Sequence, residues 1–158
     1  MDKIYICDIS HTSQGITSEY VPYAIGCLKS YFHEHGEQEA EVRLFKFPEM
    51  LMTEFAREKP TMVGFSNYMW NERLQLGFAR QIKQQHPEVI TVFGGPNYPT
   101  DISKQQSFLK HHREIDFYID GEGECAFVEL FKALEAAEFD GDCLKAGLVR
   151  IPNVHYVA

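Results

Sequence analysis

The chain has no apolar run long enough to cross a membrane as a helix, which argues against a helical membrane protein. It also has no secretory leader pattern, because Met1-Asp2-Lys3 leads straight into a strand-like segment; the expected location is the cytoplasm. Basic residues are few: 15 Lys and Arg against 23 Asp and Glu give a net charge of −8. They are scattered rather than clustered, which argues against a nucleic-acid surface. Cys7, Cys27, Cys125 and Cys143 show no Cys-x-x-Cys spacing, so neither a redox motif nor a disulfide framework is expected. Each is expected to be a reduced thiol behaving as a small buried hydrophobe. No Cys or His pair has a second pair at suitable spacing, so a zinc site is unsupported. Internal repeats and low-complexity segments are also missing.

What is present is a globular composition, with 44% apolar and 13% aromatic residues in 158, enough for one domain with a substantial core. Apolar runs alternate with segments of helical period. Residues 4–9 read as a first strand, followed by a helix carrying Val21, Ala24, Ile25, Leu28 and Phe32 and stopped by Gly36. Residues 42–47 read as a strand polar enough for a sheet edge, and 48–59 as a short helix closed by Pro60. Residues 61–66 read as a strand buried on both faces, and 72–85 as a helix striped by Leu74, Phe78 and Ile82. Then come the strand ending in Gly94-Gly95-Pro96, a weaker helix over 102–112, a strand over 115–120, and a strongly amphipathic helix carrying Phe127, Leu130, Phe131 and Leu134.

This alternation predicts an α/β fold of three αβα layers. A flavodoxin- or Rossmann-like parallel five-stranded sheet is expected, in the order 2-1-3-4-5. Residues 1–141 form the expected domain. Residues 142–158 are read as a C-terminal extension without a helix or cap, with a further strand through Leu148-Val149-Arg150-Ile151 as an option.

In such a sheet the ligand edge is the carboxyl end of the strands. Small residues stand at those exits: Ser10, Ser66, Gly94, Gly95, Gly121 and Gly123. Bare backbone and hydroxyls there suit a large polar ligand, whereas the plain structural account is tight turns and a frayed strand end. Glu124 is explained by the dipole of the helix it begins; Glu122, between two glycines, is explained less well. His11 stands in the first loop, as a solvated residue or as a metal ligand. Tyr68, Trp70 and Tyr98 occupy the same set of loops, to wall a flat ligand or to pack on a neighbouring domain.

Three blocks in order resemble a known family. They are Val63-Gly64-Phe65-Ser66-Asn67-Tyr68-Met69-Trp70-Asn71, Val92-Phe93-Gly94-Gly95-Pro96 and Asp116-Phe117-Tyr118-Ile119-Asp120-Gly121-Glu122-Gly123-Glu124. Together with Pro22 and Gly26 they are similar to the N-terminal cobalamin-binding domain of class B radical S-adenosylmethionine enzymes, over nearly the whole chain. The resemblance implies cobalamin at the carboxyl edge of the sheet. Its nucleotide tail would lie along Ser66, Asn67, Gly94, Gly95, Pro96 and Gly121 to Glu124. Its corrin ring would meet Tyr68, Trp70, Asn97 or Tyr98, with Ser10 and His11 at the first loop.

The resemblance also implies a following domain as partner, holding S-adenosylmethionine and an iron–sulfur cluster and acting on a small molecule. The Cys-x-x-x-Cys-x-x-Cys spacing of that cluster does not occur here, so radical chemistry is not expected of this chain alone. Mutases and methionine synthase carry Asp-x-His-x-x-Gly after the first strand; here Asp8-Ile9-Ser10-His11-Thr12-Ser13-Gln14-Gly15 puts His11 one residue late and Gly15 two late. Cobalamin is therefore expected with its own base displaced and no protein histidine on cobalt, His11 being the sole candidate for that ligand. Two other readings stay open on the same fold. One is a relative that docks without binding cobalamin. The other is a flavin domain using Ser10, Thr12 and Ser13 as a phosphate loop. A phospho-receiver is disfavoured, since Ser66 stands where it needs an aspartate.

Overall fold

The computed structural model describes residues 2–11, 20–36 and 40–157. Five strands alternate with helices in chain order: β1 (Asp2–Cys7), α1 (Tyr23–His35), β2 (Ala40–Phe45), α2 (Pro48–Arg57), β3 (Met62–Ser66), α3 (Glu72–Gln85), β4 (Ile90–Gly94), α4 (Ile102–His111), β5 (Phe117–Ile119) and α5 (Glu124–Ala136). Two short elements follow, α6 (Gly141–Ala146) and β6 (Val154–His155).

The sheet order is β2-β1-β3-β4-β5-β6. The first five strands are parallel and keep the expected order, whereas β6 adds antiparallel to β5 with Ile119 opposite Val154. The sheet therefore has six strands rather than five. Its last strand is Val154–His155, not the Leu148–Ile151 run, where Leu148 takes a positive φ of 51° and stays exposed. The tail also contains a helix, α6, capped by the Asp140 carboxylate, which accepts from the Cys143 amide at 2.8 Å.

Alternation along the strands divides the core between the two faces of the sheet. Ile4, Ile6, Met62, Val92, Phe117 and Ile119 point to one face, where Ile25 and Phe32 of α1 and Phe127, Leu130, Phe131 and Leu134 of α5 cover them. Leu144, Ile151 and Val154 join the same cluster, which ties α6 and β6 to the sheet. Tyr5, Cys7, Val63, Phe65, Phe93 and Tyr118 point to the other face, under Leu51 of α2, Leu76, Ala79 and Ile82 of α3, and Leu109 of α4. Cys7 is the one buried cysteine; Cys27 is half-buried, and Cys125 and Cys143 are exposed on helices, contrary to the expectation of four buried thiols. Val21 and Ala24, read as part of the α1 stripe, are exposed: Val21 precedes the helix, which begins at Tyr23, and Ala24 lines the groove described below. No helix among the described residues is long and apolar enough to cross a membrane.

Candidate functional site

At the carboxyl ends of β3, β4 and β5 the sheet edge opens into a groove of about 410 Å³ on the α1/α5 face. That volume lies within the range of roughly 300–1,000 Å³ usual for small-molecule sites. Its floor is apolar, made by Ile6, Gly64, Val92, Ile119 and Phe127. Ala24, Ile25 and Leu28 of α1 form one wall. The rim carries Ser66, Tyr68, Gly94, Gly95, Pro96 and the run Asp120 to Glu124, and no Lys, Arg or His lines it among the described residues.

Ser66 ends β3 with its hydroxyl donated to Asp8 Oδ1 at 2.7 Å. Asp8 is buried and also accepts from Asn71 Nδ2 at 3.0 Å. Gln75 Nε2 reaches the Ser66 carbonyl, and Asn71 Oδ1 accepts from the Tyr68 amide at 3.0 Å. One buried polar network thus joins the ends of β1 and β3 to the start of α3. The Ser66 hydroxyl proton is committed to Asp8, and its oxygen accepts from Asn71 Nδ2 at 3.4 Å and Gln75 Nε2 at 3.3 Å, so this hydroxyl is spent within the network. Asp8, Asn71 and Gln75 were not among the site residues expected from sequence. Asp8 lies 58 and 63 residues from Ser66 and Asn71, and Asn71 and Gln75 meet Ser66 from five and nine residues away, spacings that mark no motif.

Gly95 adopts φ +127°, and its Cα side abuts the Asn67 backbone. Asn67 is buried and clasps the opposite loop: its Nδ2 donates to the Asn97 carbonyl at 2.8 Å, and the Asn97 amide donates back to the Asn67 carbonyl at 3.1 Å. Tyr118 completes the lock, its hydroxyl donating to the Gly95 carbonyl at 2.9 Å. Asn67 and Asn97 therefore hold two loops together beside the groove rather than lining it. On the far side, Tyr98 stacks on Tyr118 with ring centroids 3.7 Å apart. Burial pushes the Tyr98 phenol up to about 12.

Gly121, at φ +78°, has open space where a side chain would stand, and Gly123 caps α5 without a side-chain bond. Glu124 sits in the first turn of α5, as dipole stabilisation favours. Tyr68, raised in pKa by burial, stacks on Trp70 with centroids 4.6 Å apart and planes 6° from parallel. Trp70 itself is 62% exposed, so the pair presents an open aromatic plane beside the groove mouth. Ser10 is buried, its hydroxyl 2.7 Å from the Tyr20 hydroxyl, while His11 is exposed; neither lines the groove. Thr12, Ser13, Gln14 and Gly15 lie outside the described residues. The structure thus gathers Ser66, Tyr68, Gly94, Gly95, Pro96 and Gly121 to Glu124 around one groove. It sets Ser10, His11, Asn67, Asn97 and Tyr98 apart from that groove, with Trp70 reaching it through Tyr68.

Residues 15–131 match the family model described as B12 binding domain. The chain is 32% identical over 116 residues to the cobalamin-dependent radical SAM methyltransferase TokK of Streptomyces tokunonensis, covering 70% of this chain and 16% of that protein. It is 32% identical over 119 residues to the 2-(S-pantetheinyl)-carbapenam-3-carboxylate methyltransferase of Streptantibioticus cattleyicolor, with the same coverage of 70% and 16%. The solved structure of the cobalamin-dependent S-adenosylmethionine radical enzyme OxsB, with aqua-cobalamin and S-adenosylmethionine bound, superposes with a TM-score of 0.70 at 16% identity. That superposition takes in 100% of this chain and 21% of OxsB. The chain thus spans about a sixth of the length of the curated relatives it matches.

Proposed function

Because the chain belongs to the B12-binding domain family, we propose that its groove seats the nucleotide tail of cobalamin and that Tyr68 and Trp70 lie against the corrin ring. The observation that carries this reading is the groove itself, with its apolar floor, hydrogen-bonding rim and adjoining aromatic plane. The residues present fit the group. Ile6, Val92, Ile119 and Phe127 suit an uncharged aromatic base. The carboxylates of Asp120, Glu122 and Glu124 accept hydrogen bonds from hydroxyls and amides. Those same carboxylates disfavour an anion at their side of the rim, so the phosphate of the tail belongs towards Gly94 to Pro96.

Cobalamin, when bound, supplies a methyl-carrying or redox-active cobalt. The chain's own part is to bind and orient. Its expected context is a longer radical enzyme whose other domain holds S-adenosylmethionine and an iron–sulfur cluster and transfers a methyl group or rearranges a small substrate. Val21, Tyr23 and Met69, 80%, 79% and 82% exposed at this edge, support a face that another domain covers. Four free thiols support a reducing, cytoplasmic setting.

The test is direct. Purified chain is mixed with cobalamin, freed of unbound corrin by gel filtration, and its visible spectrum recorded. A corrin spectrum travelling with the protein is expected. Complete separation of corrin from protein overturns the reading. A yellow protein carrying flavin would overturn it in favour of the flavin domain.

A further inference from the structure

Gly64 stands in the middle of β3, in register between Ile6 of β1 and Val92 of β4, on the floor of the groove. Glycine in a central strand weakens it and usually marks a bulge, a positive φ or a close backbone approach. None of these applies here. β3 pairs regularly on both sides, and Gly64 is not among the positive-φ glycines. A β-carbon built on it would meet Phe127 Cε2 at 3.7 Å, Ile6 Cγ2 at 3.8 Å and the Tyr5 carbonyl at 3.9 Å, all ordinary contacts. The fold would therefore accept alanine at this position. What the missing side chain does is leave depth in the groove floor, bounded by the apolar groups of Ile6, Val92 and Phe127.

We infer that Gly64 sets the size of the base that the buried end of the groove admits, and so selects among corrinoids by their lower base. The inference rests on the reading of the groove as the seat of the nucleotide tail. A bicyclic base such as dimethylbenzimidazole needs the depth that Gly64 leaves. A single-ring phenolic base needs less of it, and a corrinoid without a base needs none. Side chains added at Gly64 act on what enters the floor of the groove, whereas Tyr68 stands on its rim and Trp70 is exposed beside it.

The experiment measures binding of cobalamin, of a phenol-based cobamide and of cobinamide to the unmodified chain and to Gly64→Ala and Gly64→Val. Thermal melting establishes that each variant is folded. In Gly64→Val, cobalamin affinity is expected to fall about tenfold or more, the phenolic cobamide less, and cobinamide least. Gly64→Ala, which the contact distances allow without displacement, is expected to show the same ranking with smaller losses, and it carries the test if the valine variant does not fold. Equal losses for all three corrinoids, or no loss for cobalamin in either folded variant, would overturn the assignment. An unmodified chain that binds none of the three would overturn the underlying site reading, and this one with it.

Discussion

A β-carbon built on Gly95 would stand 2.7 Å from the Asn67 carbonyl oxygen and 3.0 Å from the Asn67 amide nitrogen. Both atoms are backbone, and Asn67 is held by its clasp with Asn97, so there is no flexible side chain to yield. The φ of +127° adds a conformation that other residues rarely adopt. Gly95→Ala is therefore expected to lower stability by about 1–3 kcal/mol from backbone conformation alone, with displacement of Asn67 adding to it. Urea unfolding of this variant beside Gly64→Ala checks the contrast. Gly64→Ala is expected to be neutral or slightly stabilising, and equal losses would contradict the distinction drawn between the two glycines. A loss of ligand in Gly95 variants, taken alone, would report on this joint and not on the groove.

The Asp8 carboxylate anchors a second joint. Asp8→Ala would leave the Ser66 hydroxyl and the Asn71 amide without their shared acceptor in a buried place, at a cost of about 1–3 kcal/mol. Asp8→Asn keeps an oxygen at the same place and is expected to lose distinctly less. Chemical denaturation of the two variants measures the difference. Equal destabilisation would show that the carboxylate's negative charge, rather than its acceptor role, matters most.

These two joints mark the limit of what the sequence displays. The first five strands are legible because each is an apolar or alternating run closed by Gly, Ser or Pro at its end or within three residues of it, and the parallel order follows from the intervening helices. β6 is not legible: two residues, Val154 and His155, carry no period, and only the exposed edge of β5 makes them a strand. The rim glycines at 94, 95, 121 and 123 stand out as punctuation, yet the same letter hides different demands. Gly95 answers to Asn67, whereas Gly121 faces open space. Gly64, inside an apolar run, gives no signal until its register beside Ile6 and Val92 is known. Asp8, Asn71 and Gln75 meet Ser66 only through the fold.

Alkaline pH should expose the Tyr98–Tyr118 stack. Burial is the main cause that pushes Tyr98 up to about 12, and it raises Tyr118 as well, against an ordinary phenol near 10. Above about pH 10 the unfolded chain has lost phenolic protons that the folded chain still holds, so unfolding releases protons and stability falls as pH rises. The contribution is full below the unfolded value and lost as pH climbs through the folded one. Melting temperature is expected to be insensitive to these groups below about pH 10 and to drop above it. Tyr98→Phe should flatten that alkaline limb while leaving the stack in place. An unchanged limb would place the titration on other tyrosines.

Trp70 offers the most direct view of the proposed corrin face. It is the sole tryptophan of the chain, exposed and stacked on Tyr68, so its fluorescence reports on whatever covers that plane. A corrin laid on the pair would quench it, and cobalamin and cobinamide should do so alike, because the ring is common to both. Trp70→Ala is expected to weaken both by about 0.5–1.5 kcal/mol, just over tenfold at the upper end. That pattern differs from the one expected at Gly64, where the loss follows the base and spares the corrinoid that has none. Titration of the unmodified chain with each corrinoid, read by tryptophan emission and by retained corrin absorbance together, separates the two contributions. Corrin retained without quenching would move the ring off the Tyr68–Trp70 plane. Quenching by cobalamin but not by cobinamide, at concentrations where both are retained, would mean that the tail and not the ring lies against Trp70.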